Sequence, residues 1–204
     1  MERLRHHLLD TGYTIDGVRE RLGATAASAL AREELTPALR ATAGGDPLGT
    51  LIRLWWLGVP VPAKGVASEV LESGLVAADG DQITATVHLQ PWETGGYVVS
   101  DRKVRPGDPA LRPDHVVGAG GASANLAQLV TRRPAGSALD LGTGCGVQGA
   151  APRRAGGARH RHRRQPARAG AGPAELGVVG GSPGSMRGWG RCTSRSRVSG
   201  STWW

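Results

Sequence analysis

The sequence predicts an α/β fold in three parts. These are a helical N-terminal unit closed by a β-hairpin, the beginning of an open parallel α/β domain, and a disordered C-terminal tail. Three observations carry this expectation. Apolar residues recur at helical spacing through residues 1–73. The period then shortens to strands on either side of Asp79-Gly80-Asp81, a strong turn signal. Finally, the glycine-rich turn Gly142-Thr143-Gly144-Cys145-Gly146 follows a short apolar strand, and the composition changes abruptly just after it. The expected boundaries are 1–90, 91–149 and 150–204.

The elements follow in order. Leu4, Leu8 and Leu9 form one apolar stripe. Thr14 is placed to cap a helix that ends near Leu22-Gly23, and a second helix is expected from Thr25 to Glu34. Asp46-Pro47 opens another, with Leu48, Leu51, Ile52, Trp55 and Trp56 at helical spacing. A short helix over Ala63–Glu72 is expected to end at Ser73-Gly74. Leu75–Ala78 and Ile83–Leu89 then read as a hairpin, and Tyr97–Asp101 as a further strand. Helices followed by such a hairpin resemble a winged-helix module; a small helical cap with a β-ribbon is the alternative. The helix that begins at Asp46 offers only Arg53 as a cation, so tight binding of nucleic acid by this unit is not expected. After a polar loop at 102–114 comes the glycine-rich segment Gly118–Ser123. The next expected helix runs from Ser123 to about Thr131, with Leu126, Leu129 and Val130 on one face.

Charge separates the parts sharply. Residues 1–149 carry 14 Lys and Arg against 16 Asp and Glu, a net of −2. Residues 150–204 carry 11 Arg and one acid, Glu175, a net of +10, and together these give the overall +8. The basic balance is therefore a property of the last quarter. Cys145 and Cys192 do not suggest a disulfide framework. Met1–Asp10 has no continuous apolar core of a signal peptide, and no run approaches the roughly 18 apolar residues of a membrane span. A soluble, cytoplasmic protein is expected.

The chemistry lies at residues 137–147. Ala138-Leu139-Asp140-Leu141 forms a short strand that runs into G-x-G-x-G. Glycines admit positive φ and let a ligand approach the main chain, and open α/β sheets bind ligands at strand ends of this kind. The spacing differs from that of dinucleotide enzymes and from that of phosphate loops. The run Leu139-Asp140-Leu141-Gly142-Thr143-Gly144-Cys145-Gly146 resembles motif I of class I S-adenosylmethionine-dependent methyltransferases. It is most similar to the subgroup holding release-factor glutamine and ribosomal-RNA guanine methyltransferases. The resemblance implies a Rossmann-like domain. It gives cofactor contacts to Gly142, Thr143, Gly144 and Gly146, a loop-ordering role to Asp140, and methyl transfer to a nitrogen of RNA or of a protein glutamine. Gly120 and Gly121 stand where the family places a second cofactor-contacting segment, and a glycine hinge between domains explains them as well. The bare alternative for the loop itself is a tight strand-to-helix turn that binds nothing.

The family needs a second strand ending in an acid for the ribose hydroxyls, then a catalytic loop, often Asn-Pro-Pro-Tyr. Neither motif follows. Residues 149–204 hold one Leu, no Ile and no Asp, too little apolar area to offset ordering entropy. Arg, Ala, Gly and Pro are what GC-rich codons give in almost any frame. With third bases chosen freely, the codons of Arg161–Gly170 shifted by one nucleotide read Ala-Thr-Asp-Val-Asn-Pro-Arg-Ala-Leu. Its Asp falls opposite Arg163, 163 − 140 = 23 residues after Asp140 and close to the roughly 20 expected of a ribose acid. A frameshift at about codons 148–150 is therefore expected, leaving a family member truncated after motif I. No catalytic residue and no metal site are assigned; His160 and His162 lack an acid or Cys partner. Little or no transferase activity is expected. The expected partners are the RNA or protein methyl acceptor, and nucleic acid held non-specifically by the Arg-rich tail; no membrane is expected. The rival reading is a non-enzymatic winged-helix nucleic-acid-binding module with a basic disordered arm.

Overall fold

The computed structural model describes residues 1–92, 96–105, 107–108, 110–130, 137–142, 144–150 and 158–162. At 137–141, 149–150 and 158–162 only the backbone is described. The N-terminal unit opens with α1 (Glu2–Asp10), which buries Leu4 and Leu8 as its spacing requires. Helix α2 spans Ile15–Leu30, and the Thr14 hydroxyl caps it by accepting from the Gly17 N–H. Gly23 interrupts α2 at φ 70° and ψ 170°, so the break predicted at Leu22-Gly23 exists, although hydrogen bonding resumes at once. The second half ends at Leu30, short of Glu34. A helix not foreseen, α3 (Thr36–Ala41), carries Pro37 in its first turn.

Helix α4 (Pro47–Leu51) is capped by Asp46 as expected, its carboxylate accepting from the Gly49 N–H. It then widens. Residues Ile52–Trp56 form a π-helical turn in which the Leu57 N–H reaches the Ile52 carbonyl, 2.8 Å away. Both tryptophans stay on the core side, Trp56 half-buried against the cluster that holds Trp55. Trp55 is fully buried beside Tyr13, with ring centroids 6.2 Å apart, whereas Trp56 turns toward His88 at 6.0 Å.

The helix expected over Ala63–Glu72 is mostly absent. Strand β1 (Val61–Pro62) and the Ala63 N–H, which donates to the Asp81 carbonyl, draw the chain onto a sheet, and Gly65 turns it at φ 96°. Only α5 (Ser68–Leu71) is helical. Strands β2 (Val76–Asp79) and β3 (Gln82–Ala85) make the predicted hairpin, and β1 pairs antiparallel with β3 to give the order β1-β3-β2. The single strand expected over Ile83–Leu89 divides at Thr86-Val87. Its second part becomes β4 (His88–Trp92), paired antiparallel with β5 (Gly96–Ser100) in a separate sheet. Strand β4 crosses the boundary expected at residue 90.

This second hairpin is covered on both faces, because side chains alternate along each strand. Leu89, Tyr97 and Val99 enter the helical core with Leu8, Tyr13, Leu54 and Trp55. Tyr13 donates to the Leu89 carbonyl and Tyr97 to the Tyr13 carbonyl, so the buried hydroxyls pin hairpin to helices. The other face carries His88, Gln90, Val98 and Ser100, all buried.

Beyond a loop closed by mutual hydrogen bonds between Asp101 and Val116, the chain forms α6 (Gly121–Leu129), then β6 (Ser137–Leu141). A 3₁₀ turn at Val147–Ala150 follows the glycine loop. A second strand, not expected from the sequence, lies beside β6. Strand β7 (Ala158–His162) pairs with it in parallel, from Ser137 opposite Ala158 to Leu141 opposite His162. Ladder pairing needs only main-chain groups, so five residues with no apolar period still satisfy the open edge of β6. Of the tail expected to be disordered, residues 158–162 lie in β7; 151–157 and 163–204 lie outside the described residues. Helix α6 starts two residues earlier than expected, and its Leu126, Leu129 and Val130 are exposed rather than packed. Among the described residues no helix is long and apolar enough to cross a membrane.

Candidate functional site

Strand β6 delivers the chain to the glycine loop at its C-terminal end, and β7 runs alongside in the same direction. Three loop glycines adopt positive φ: Gly142 at 73°, Gly144 at 50° and Gly146 at 79°. Only glycine holds such a series at low cost. A Cβ added to Gly142 would meet no described atom within 4 Å, so that side of the main chain is open. Gly142 and Gly144 are exposed. Thr143 and the Asp140 side chain lie outside what the structure describes.

The far end of the loop is anchored. Cys145 and Val147 are buried and cluster with Val98 of β5, backed by Trp92, Val116 and Ala119. Gln148 donates to the Ser123 carbonyl at 2.8 Å, which ties the turn after the loop to the first turn of α6. The two segments singled out from the sequence are thereby brought together. Gly120 is the N-cap residue of α6 and Gly121 its first residue; both are exposed, with open space where a Cβ would stand. Gly142, Gly144, Gly120 and Gly121 are thus exposed, while Cys145, Gly146 and Val147 are buried beneath them.

That footing was not apparent in the sequence. Segment 116–119 lies against the polar face of β4–β5. Gln90 donates to the Ala119 carbonyl at 3.0 Å. A Cβ on Gly118 would stand 2.8 Å from Ser100 Oγ, 3.3 Å from Gln90 Oε1 and 3.5 Å from His88 Nδ1. His88 is 4% exposed, and neither ring nitrogen has a hydrogen-bond partner among the described residues. Burial first, and the positive Lys103 second, push its pKa down to about 3, so the imidazole is neutral at physiological pH. The available signal for this seat was Gly118 itself, inside a segment already marked as glycine-rich.

One family, described as Domain of unknown function (DUF7059), matches the chain over residues 10–86. The match covers α2 through β3 and stops before the β4–β5 hairpin and the glycine loop. No curated protein matches the chain. Among the described residues no group of three or more His, Cys, Asp or Glu is placed to hold a metal ion.

Proposed function

We propose that residues 91–149 carry the cofactor loop of a class I S-adenosylmethionine-dependent methyltransferase, set in a Rossmann-like domain that this chain only begins. One observation supports the reading most: a series of three positive-φ glycines, Gly142 and Gly144 of them exposed, at the C-terminal end of a parallel strand, with a second exposed glycine pair at the start of α6. The bound cofactor would supply the methyl group as a sulfonium. Gly142, Thr143, Gly144 and Gly146 would cradle it, Asp140 would order the loop, and Gly120 and Gly121 would close the opposite side. The acceptor class is a nitrogen of RNA or of a protein glutamine, in the cytoplasm.

The residues fit the cradle and not the ribose clamp. Strand β7 ends at His162, and the next residues in the sequence are Arg163 and Arg164, where the family has its acid. A one-nucleotide shift of frame accounts for both the arginines and the missing catalytic loop. The protein is therefore a methyltransferase family member that retains a weak cofactor site and transfers little or nothing. The winged-helix part of the reading is supported by the hairpin β2–β3 after a short helix. That helix, Ser68–Leu71, has Glu69 and no cation, which disfavours a nucleic-acid role for it.

Ultraviolet cross-linking of radiolabelled S-adenosylmethionine, mapped by proteolysis, tests the proposal. Label is expected in the peptide that holds residues 137–150, with no transfer to RNA or to a glutamine peptide. Label confined to residues 1–86 would refute it. The encoding DNA gives an independent arm: the shifted frame should encode an acid after the second strand and Asn-Pro-Pro-Tyr downstream.

A further inference from the structure

We propose that the polar face of the β4–β5 hairpin is a seat that fixes segment Val116–Ser123 against the glycine loop, with Gly118 as the positioning residue. Its bearing on a ligand rests on the cofactor reading above. Gly118 has no positive φ, so its lack of a side chain serves closeness rather than conformation. Three polar atoms, Ser100 Oγ, Gln90 Oε1 and His88 Nδ1, converge on the spot a Cβ would fill. At 2.8 Å a methyl group fits only if the segment or the Ser100 hydroxyl moves, and that hydroxyl is held by donating to the Asp101 carbonyl at 3.2 Å.

The displacement has a defined path. Gln90 holds the Ala119 carbonyl, Gly120 caps α6, and the Ser123 carbonyl receives Gln148 from the turn after the loop. The same hairpin face reaches the loop directly, because Val98 packs on Cys145 and Val147. Both sides of the cradle are therefore referenced to one rigid surface. That surface is rigid because its reverse side is part of the helical core. The hairpin thus transmits the position of the N-terminal unit to the cradle, which gives that unit a part in ligand binding without touching the ligand.

The test uses the full chain with Cys192→Ser, so that Cys145, 8% exposed, is the thiol probe. Gly118→Ala is expected to speed labelling of Cys145 by about tenfold. Adding Ser100→Ala, which removes the nearest obstructing atom, should return the rate most of the way. Gln90→Leu adds no bulk at residue 118, removes the Ala119 tether, and should also speed labelling. The melting transition of the helical core, read from tryptophan emission, should stay unchanged in all three. An unchanged labelling rate in both Gly118→Ala and Gln90→Leu, or failure of Ser100→Ala to rescue, overturns the proposal. Titration with S-adenosylhomocysteine should show the same order: weaker binding in Gly118→Ala, restored in the double variant. Expected thiol behaviour in a chain that binds no S-adenosylhomocysteine would sustain the seat and sink the cofactor reading.

Discussion

His88 shows how far a residue's behaviour is set by distant parts of the chain. Its own strand only turns it toward one face. Trp56, from a π-helical turn, and Gly118, thirty residues downstream, complete the burial. With a folded pKa near 3 against an ordinary 6.5, the unfolded chain takes up a proton that the folded chain excludes. Its contribution is therefore constant above about pH 6.5 and is lost as pH falls from 6.5 toward 3. Urea unfolding across this range should show a slope that His88→Leu flattens. Asp46 is also shifted down from its ordinary value. The Arg21 guanidinium, then the Gly49 N–H, hold its carboxyl below 3.8, so its stabilisation is present above that value and is lost as pH falls through the folded pKa. Asp46→Ala should cost about 1 kcal/mol at pH 7 by loss of the cap. Asp46 and Thr14 were legible as caps because a cap is a local event of three residues. His88, Gln90 and Ser100 were not, because the groups they meet arrive from outside any local window.

Elements were legible where one face met one core. Helix α1 follows its leucine stripe, and α2 breaks where Gly23 stands. Gly23→Ala should destabilise the helical unit by about 1–3 kcal/mol, since φ 70° with ψ 170° is accessible essentially to glycine alone; a thermal melt measures it. The strand pattern over 83–89 misled because Thr86-Val87 continues the β-type residues through the point where the chain leaves one sheet for the next. The pattern over 63–72 misled because pairing of the preceding β1 with β3 outweighed weak helix propensity. Helix α6 is the reverse case. Its apolar stripe exists, yet Leu126 is 52% and Leu129 80% exposed. Leu129→Glu should leave the melting temperature unchanged in a thermal melt. A fall of several degrees would mean that the stripe is packed in solution.

At the scale of the molecule, the β4–β5 hairpin is the joint. One face completes the helical core, and the other supports the glycine loop. A fragment of residues 1–101 should retain helical circular dichroism and buried tryptophan emission, because the residues of that core lie between Leu4 and Val99. The glycine-loop pattern was readable from the eight residues Leu139–Gly146, but its footing needed three dimensions. The cofactor site is what most needs testing, and calorimetric titration of the full chain with S-adenosylhomocysteine tests it most directly. A weak, saturable isotherm is predicted, abolished by Gly142→Val and strengthened by Arg163→Asp, which returns an acid after β7. An isotherm without saturation, or one that Gly142→Val leaves unchanged, would contradict the assignment of the glycine loop as a cofactor cradle.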